Sequence, residues 1–238
     1  MRSLATTIDS KLRAAADPVR AVKEKAYLKS DLEHCGVTVP RIRSIVKAAV
    51  ADRALDHAGL VTAVEELWGL SVHECRMASV ALLELRGDLL MPADLPLLER
   101  LIREARTWAL VDGLAASVTG PLVEGCPKLT RELDRWAVDP DFWVRRSALL
   151  ALLLPLRRGD GDFERFGRYA DGMLGEKELF IRKAIGWVLR DTSRKRPELV
   201  VAWVRPRLGR MSGVTFREAV RRLPPEQSDE LVAARSAG

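Results

Sequence analysis

"DFWVRRSALLALLL" (residues 141–154) and "ELFIRKAIGWVLRD" (178–191) decide the fold, because they are two copies of one pattern. Each opens on an acidic residue followed by aromatics or apolar residues, carries a central Arg and a small residue, and runs into an apolar tail. "LSVHECRMASVALLEL" (70–85) repeats the pattern with a polar start. Setting Trp143 against Phe180 gives a separation of 37 residues, while Trp108 to Trp143 and His73 to Trp108 are each 35. Apolar residues recur at helical spacing, and strand-like alternation is nearly absent. Self-similarity on this period marks a solenoid of helical hairpins, whose repeats bury their apolar faces against their neighbours.

Outward from these copies, periodicity predicts helices over 3–16, 18–33, 40–51, 57–69, 71–86, 93–105, 107–119, 127–138, 140–154, 162–174, 177–191, 197–207 and 214–222. Pro, Ser or Asp opens many of them, and short turns bearing Gly or Pro divide them. The cores "WVRRSA" and "FIRKAI" are similar to the V-R-x-x-A pattern of HEAT repeats. The expected fold is all-α, one α-α superhelix (solenoid) of HEAT-like repeats forming a single domain over 1–238, with a loose tail from about residue 223. Such a fold offers a concave face rather than a pocket, suited to a long ligand such as duplex DNA, RNA or a protein helix.

The composition, 47% hydrophobic and 30% charged, is that of an ordinary globular protein. No apolar run is long enough to span a bilayer, and the start "MRSLATTIDSKLRAAADP" has no secretory apolar region, so a cytoplasmic protein is expected. Cys35, Cys75 and Cys126 are isolated, and His34, His57 and His73 are scattered, so spacing offers neither a disulfide framework nor a metal constellation. The formal charge of +6 is compatible with a polyanionic partner.

Three segments place aromatics and charges at equivalent repeat positions: Trp108 with Asp112, Trp143 with Arg145 and Arg146, and Trp187 with Arg190. Each Trp also reads as core packing, and either Arg as an ion-paired or solvated face. Asp112 lies one helical turn from Trp108 in "RTWALVDGLA" (106–115), an apolar setting in which a carboxylate is costly. An N-cap, a buried pair or a functional cleft would each account for it. No Ser or Thr immediately precedes it to suggest a helix start.

Along most of its length the chain resembles the AlkD family of bacterial DNA glycosylases. "AYLKSDLEHCGVTVPRIRSI" is similar to the family's Tyr-Met-Lys…Leu-Gly-Ile-x-Thr-Pro-x-x-Arg signature, and "TWALVDGLAASVTGPLV" to its Trp-x-x-x-Val-Asp-Gly helix. "DRWAVDPDFWVRRSALL" and "EKELFIRKAIGWVLRDTSRKRPELV" resemble its next two repeats. The resemblance implies that Asp112 is the catalytic carboxylate, that Trp108 and Trp187 flank the lesion, and that Arg146, or its neighbour Arg145, holds DNA. Tyr27, Thr38, Arg43 and Arg190 match positions near the lesion or the backbone. The chain departs from the family at Thr107, where an aromatic is common, and at Ala109 and Leu110, where polar residues are common. These changes bear on the shape of the cleft.

The implied activity is hydrolysis of the N-glycosidic bond of cationic N3- or N7-alkylated purines in duplex DNA. It would proceed without base flipping, leave an abasic site, and need neither cofactor nor metal. A monomer is expected. Self-resistance to a bulky DNA-alkylating natural product is a further role known for some relatives. The rival readings are an inactive relative that binds DNA structures and a scaffold for protein interaction.

Overall fold

The computed structural model describes residues 2–51 and 53–237, which divide into two compact units, Met1–Leu114 and Ala115–Gly238. Among the described residues the regular structure is helical, apart from one isolated bridge between Glu33 and Val72.

The first unit contains α1 (Leu4–Ala14), α2 (Pro18–Leu28), α3 (Val39–Val50), α4 (His57–Gly69), α5 (His73–Leu85), α6 (Leu95–Ala105) and the short α7 (Trp108–Asp112). Side-chain caps from Ser3, Asp17 and Asp56 satisfy the first amides of α1, α2 and α4. Ile8, Leu12, Leu60, Leu67, Leu82 and Leu83 are fully buried where α1, α3, α4 and α5 meet. The helix predicted over 18–33 stops at Leu28 because Lys29 turns left-handed (φ 50°), and the Ser30 amide bonds back to the Lys25 carbonyl at 3.1 Å.

One buried carboxylate organises the turn between α2 and α3. Glu74, fully buried in the first turn of α5, accepts the backbone N–H groups of Cys35, Gly36 and Val37. Gly36 is required there: its φ is +78°, and an added Cβ would lie 2.1 Å from the Asp17 carbonyl oxygen.

The second unit contains α8 (Gly120–Gly125), α9 (Thr130–Trp136), α10 (Phe142–Leu150), α11 (Leu153–Arg158), α12 (Phe163–Met173), α13 (Leu179–Thr192), α14 (Pro197–Val204), α15 (Gly213–Val220) and α16 (Pro225–Ser236). The α13–α15 contact is close because Gly186 has no side chain; a Cβ there would stand 2.6 Å from that of Glu218. The helix expected over 140–154 is two, α10 and α11. Pro155 has no N–H for the Ala151 carbonyl, and that oxygen would lie 2.7 Å from a Cβ at Gly120. The tail expected to be loose from about residue 223 is instead α16. Leu231 is fully buried, and Arg235 lies over the Phe216 ring while donating to the Leu208 and Met211 carbonyls.

The repeat read from the sequence reappears in the side-chain bonding within each unit. Arg100 pairs with Glu65 across 35 residues, and Trp68 donates to Glu104 across 36. In the second unit Arg157 reaches Asp191 across 34, and Arg207 reaches Asp171 across 36. Equivalent helices one repeat apart thus present matching faces. The register residues His73, Trp108, Trp143 and Phe180 each fall on the first or second residue of a helix.

Candidate functional site

The segment 107–119, predicted as one helix, has a more particular course. Thr107 caps α7, its hydroxyl accepting the Ala109 amide at 3.4 Å, so the helix begins at Trp108. It remains α-helical only to Asp112, and Gly113–Thr119 is wound as a π-helix. Two features favour the wider winding. Pro121 cannot donate to the preceding turn, and Gly113 brings its bare backbone close to Val80, whose Cγ1 would lie 2.7 Å from a Cβ there. Asp112 therefore stands at the junction between the two windings. It is half-buried and has an interaction partner.

The residues on α7 separate by face. Leu110 and Val111 are fully buried, whereas Trp108 keeps 36% of its surface exposed. Leu110 is thus a core residue, and of the two departures between Trp108 and Asp112 only Ala109 reaches the half-exposed side. Tyr27, on α2, meets Trp108 edge to face, with ring centroids 6.3 Å apart and planes at 86°. Tyr27 is itself 74% exposed, so this aromatic pair stands at the surface of its unit. Arg43 donates to Glu84 at 2.8 Å, and Glu84 reaches to within 3.4 Å of a Cβ at Gly113. Thr38 precedes α3, exposed and without a capping bond.

Next to the Tyr27–Trp108 pair lies a groove of about 520 Å³, lined by Lys29, Arg76, Arg103 and Arg106 among others. Lys29 and Arg106 have φ of 50° and 48°, the left-handed non-glycine residues among those described. Arg76 lies over the Trp68 ring at 5.0 Å and donates to the Glu104 carbonyl at 2.9 Å.

In the second unit Trp187 and Arg190 converge on Asp191, a residue the sequence reading passed over. The Trp187 indole donates to Oδ2 of Asp191 at 3.1 Å, and the Arg157 Nε donates to the same oxygen at 2.8 Å. Arg190 reaches Oδ1 at 3.4 Å and pairs with Glu218 on α15. Asp191 is 8% exposed on the side chain, so it is a buried anchor for three donors. Its signal was present: Trp187 and Asp191 are four residues apart, the spacing of Trp108 and Asp112.

The two arginines of "RR" point to different partners. Arg145 is clamped by both carboxylate oxygens of Glu176, at 2.9 and 2.8 Å, and donates further to the Asp139 and Pro140 carbonyls. Arg146 is 4% exposed and donates to the Phe180 carbonyl. Trp143 is core, packed between Phe142 and Phe180 at centroid distances of 4.5 and 4.9 Å. The site residues read from the sequence thus fall into two sets: Tyr27, Thr38, Arg43, Trp108 and Asp112 in the first unit, and Arg145, Arg146, Trp187 and Arg190 in the second.

A profile described as "DNA alkylation repair enzyme" matches residues 8–223. The fold is similar to a solved structure from Enterococcus faecalis described as a predicted DNA alkylation repair enzyme. That likeness has a TM-score of 0.79 at 20% identity, over 88% of this chain and 97% of the other. No curated protein matches the chain. No helix among the described residues is long and apolar enough to cross a membrane.

Proposed function

Because the chain belongs to the DNA alkylation repair enzyme family, we propose that its repair activity is that of a monofunctional alkylpurine DNA glycosylase. It acts on purines alkylated at N3 or N7 in duplex DNA. Such a base carries a positive charge and is already an activated leaving group, so no general acid is required. The C1′–N bond breaks, its electron pair leaves with the purine, and the sugar passes through an oxocarbenium-like transition state. A water oxygen then bonds to C1′ and gives up its proton, leaving an abasic site.

The observation that carries this reading is the surface-exposed Trp108 ring with Asp112 one turn further along the same short helix. Asp112 stabilises the developing sugar cation and orients or deprotonates the water. Trp108 and Trp187 offer indole faces to the cationic nucleoside, each worth ~0.5–2 kcal/mol. Tyr27 supports Trp108 edge-on. In the groove beside that pair four cationic side chains outnumber the carboxylates of Asp31 and Glu104, which suits the phosphate backbone. Arg190, Arg43 and Thr38 are assigned to the DNA as the resemblance implies. Arg146, or its neighbour Arg145, is assigned to the phosphate beside the lesion, as the resemblance implies. The protein acts as a monomer, on one domain spanning both units, without extruding the base. An open site of this kind also admits bulky adducts, as self-resistance to an alkylating natural product would require.

Incubation with methylated duplex DNA, followed by assay of free base, tests the proposal. Release of 3-methyladenine or 7-methylguanine is expected, with negligible release of uracil. Asp112→Asn should still fold and bind DNA but release base ~100-fold or more slowly, the scale of losing one preorganised electrostatic group. Full activity in that variant, or efficient uracil release, would overturn the mechanism.

A further inference from the structure

Three potential ligands from separate parts of the first unit converge on one another. Glu24 lies on α2, His34 in the turn that follows it, and Glu74 in the first turn of α5. Each offers one donor atom, and those atoms all lie within 4.8 Å of one another. The His34 side chain is 1% exposed, yet both ring nitrogens lack a hydrogen-bond partner. Oε2 of Glu24 is likewise buried and without one. His34 Nδ1 and that oxygen face each other at 3.9 Å, too far for a hydrogen bond. Two ligands held ~2.0–2.2 Å from a common zinc-class ion would approach this separation with little adjustment.

We propose that Glu24, His34 and Glu74 form a binding site for a divalent transition-metal ion of the zinc class, with one imidazole and two carboxylates as ligands. The surroundings orient each ligand. Glu74 is fixed by the three amides of Cys35, Gly36 and Val37. Arg20 holds the other oxygen of Glu24 at 2.9 Å. The His73 ring stacks on that of His34, with centroids 4.5 Å apart and planes at 7°, and fixes its orientation. Burial also lowers the His34 pKa, which favours the neutral ring a metal requires. One nitrogen with two oxygens suits zinc, manganese or iron rather than magnesium or calcium. An ion here ties α2 to the start of α5 and stiffens the helix that presents Tyr27, three residues beyond Glu24, to Trp108.

The test uses the full chain, stripped with chelator and titrated with zinc chloride alone by calorimetry, with cobalt(II) as a spectroscopic probe. One saturable equivalent, a cobalt ligand-field absorption and a melting temperature that rises with zinc concentration are expected. His34→Gln and Glu24→Gln should each weaken zinc binding by at least ~10-fold, whereas His57→Gln, whose ring pairs with Asp94 at 3.0 Å, should retain it. Glu24 is partly exposed, so Glu24→Gln keeps the test decisive even if His34→Gln fails to fold. Absence of one-equivalent uptake would overturn the proposal, and would mean that His34 and Glu24 satisfy each other by a small shift. Unchanged affinity in Glu24→Gln would overturn it equally.

Discussion

"WALVD" makes up α7 and "WVLRD" lies in the last turns of α13, and each has a Trp and an Asp four residues apart. Their surroundings differ. In α13 the indole donates to the carboxylate, and two arginines, Arg157 and Arg190, donate to it as well. In α7 the indole meets Tyr27 edge to face, and the helix ends at its Asp by widening into a π-helix. The spacing places both groups on one helical face. What arrives from neighbouring helices then decides which group each Trp meets: a carboxylate in α13, the Tyr27 ring in α7.

The largest effect should come from the anchor. Asp191→Ala removes the partner of two guanidinium groups and an indole N–H at a buried position, and we expect a loss of about 3 kcal/mol in urea denaturation. Arg157 is 41% exposed and will recover some hydration, which keeps the figure below the upper range for buried pairs. A neutral Asp191→Ala would remove the contrast between the two segments. Asp112→Asn should give the opposite profile, with stability within ~1 kcal/mol of the parent and base release reduced ~10²–10³-fold. If that variant instead unfolds while the remaining folded fraction turns over normally, Asp112 is an anchor too.

Smaller is the effect of the indole itself. Trp108→Leu keeps apolar bulk but removes the electron-rich face, so base release should fall ~3- to 30-fold, the equivalent of ~0.5–2 kcal/mol. The sharper comparison uses a neutral lesion analogue, whose binding should change less than that of a cationic one. Equal losses on both would reduce Trp108 to a packing contact with Tyr27.

The fold was legible because period and apolar pattern are local properties of the chain, and the register residues His73, Trp108, Trp143 and Phe180 indeed open equivalent helices. Several features were not legible. Glu74 reads as one more acidic residue on a helix, yet it closes a turn lying 37–39 residues earlier. Asp191 matters because Arg157, a full repeat away, comes to it. The tail "LPPEQSDELVAARSAG" lacks a broad apolar face, and its helix is secured by Leu231 and Arg235 against the preceding repeat. Each miss is a long-range partner acting on a locally unremarkable residue. The Trp–Asp pairs show the same limit, since spacing alone made them look alike.

Thr107 gives the smallest test and the one closest to that limit. The family resemblance marks it as a departure from an aromatic, but here the residue is 93% buried by its 7% exposure and caps the five-residue helix carrying Trp108 and Asp112. Its bond to the Ala109 amide is long, 3.4 Å. Thr107→Val preserves shape and removes only the acceptor, so a loss of ~0.5–1 kcal/mol is expected in thermal or urea unfolding. Base release by the folded enzyme should fall by no more than the few-fold expected from fraying one short helix. A drop approaching that of Asp112→Asn would mean that placement of the carboxylate depends on this single cap, and that the α7 segment is held far more weakly than its α13 counterpart.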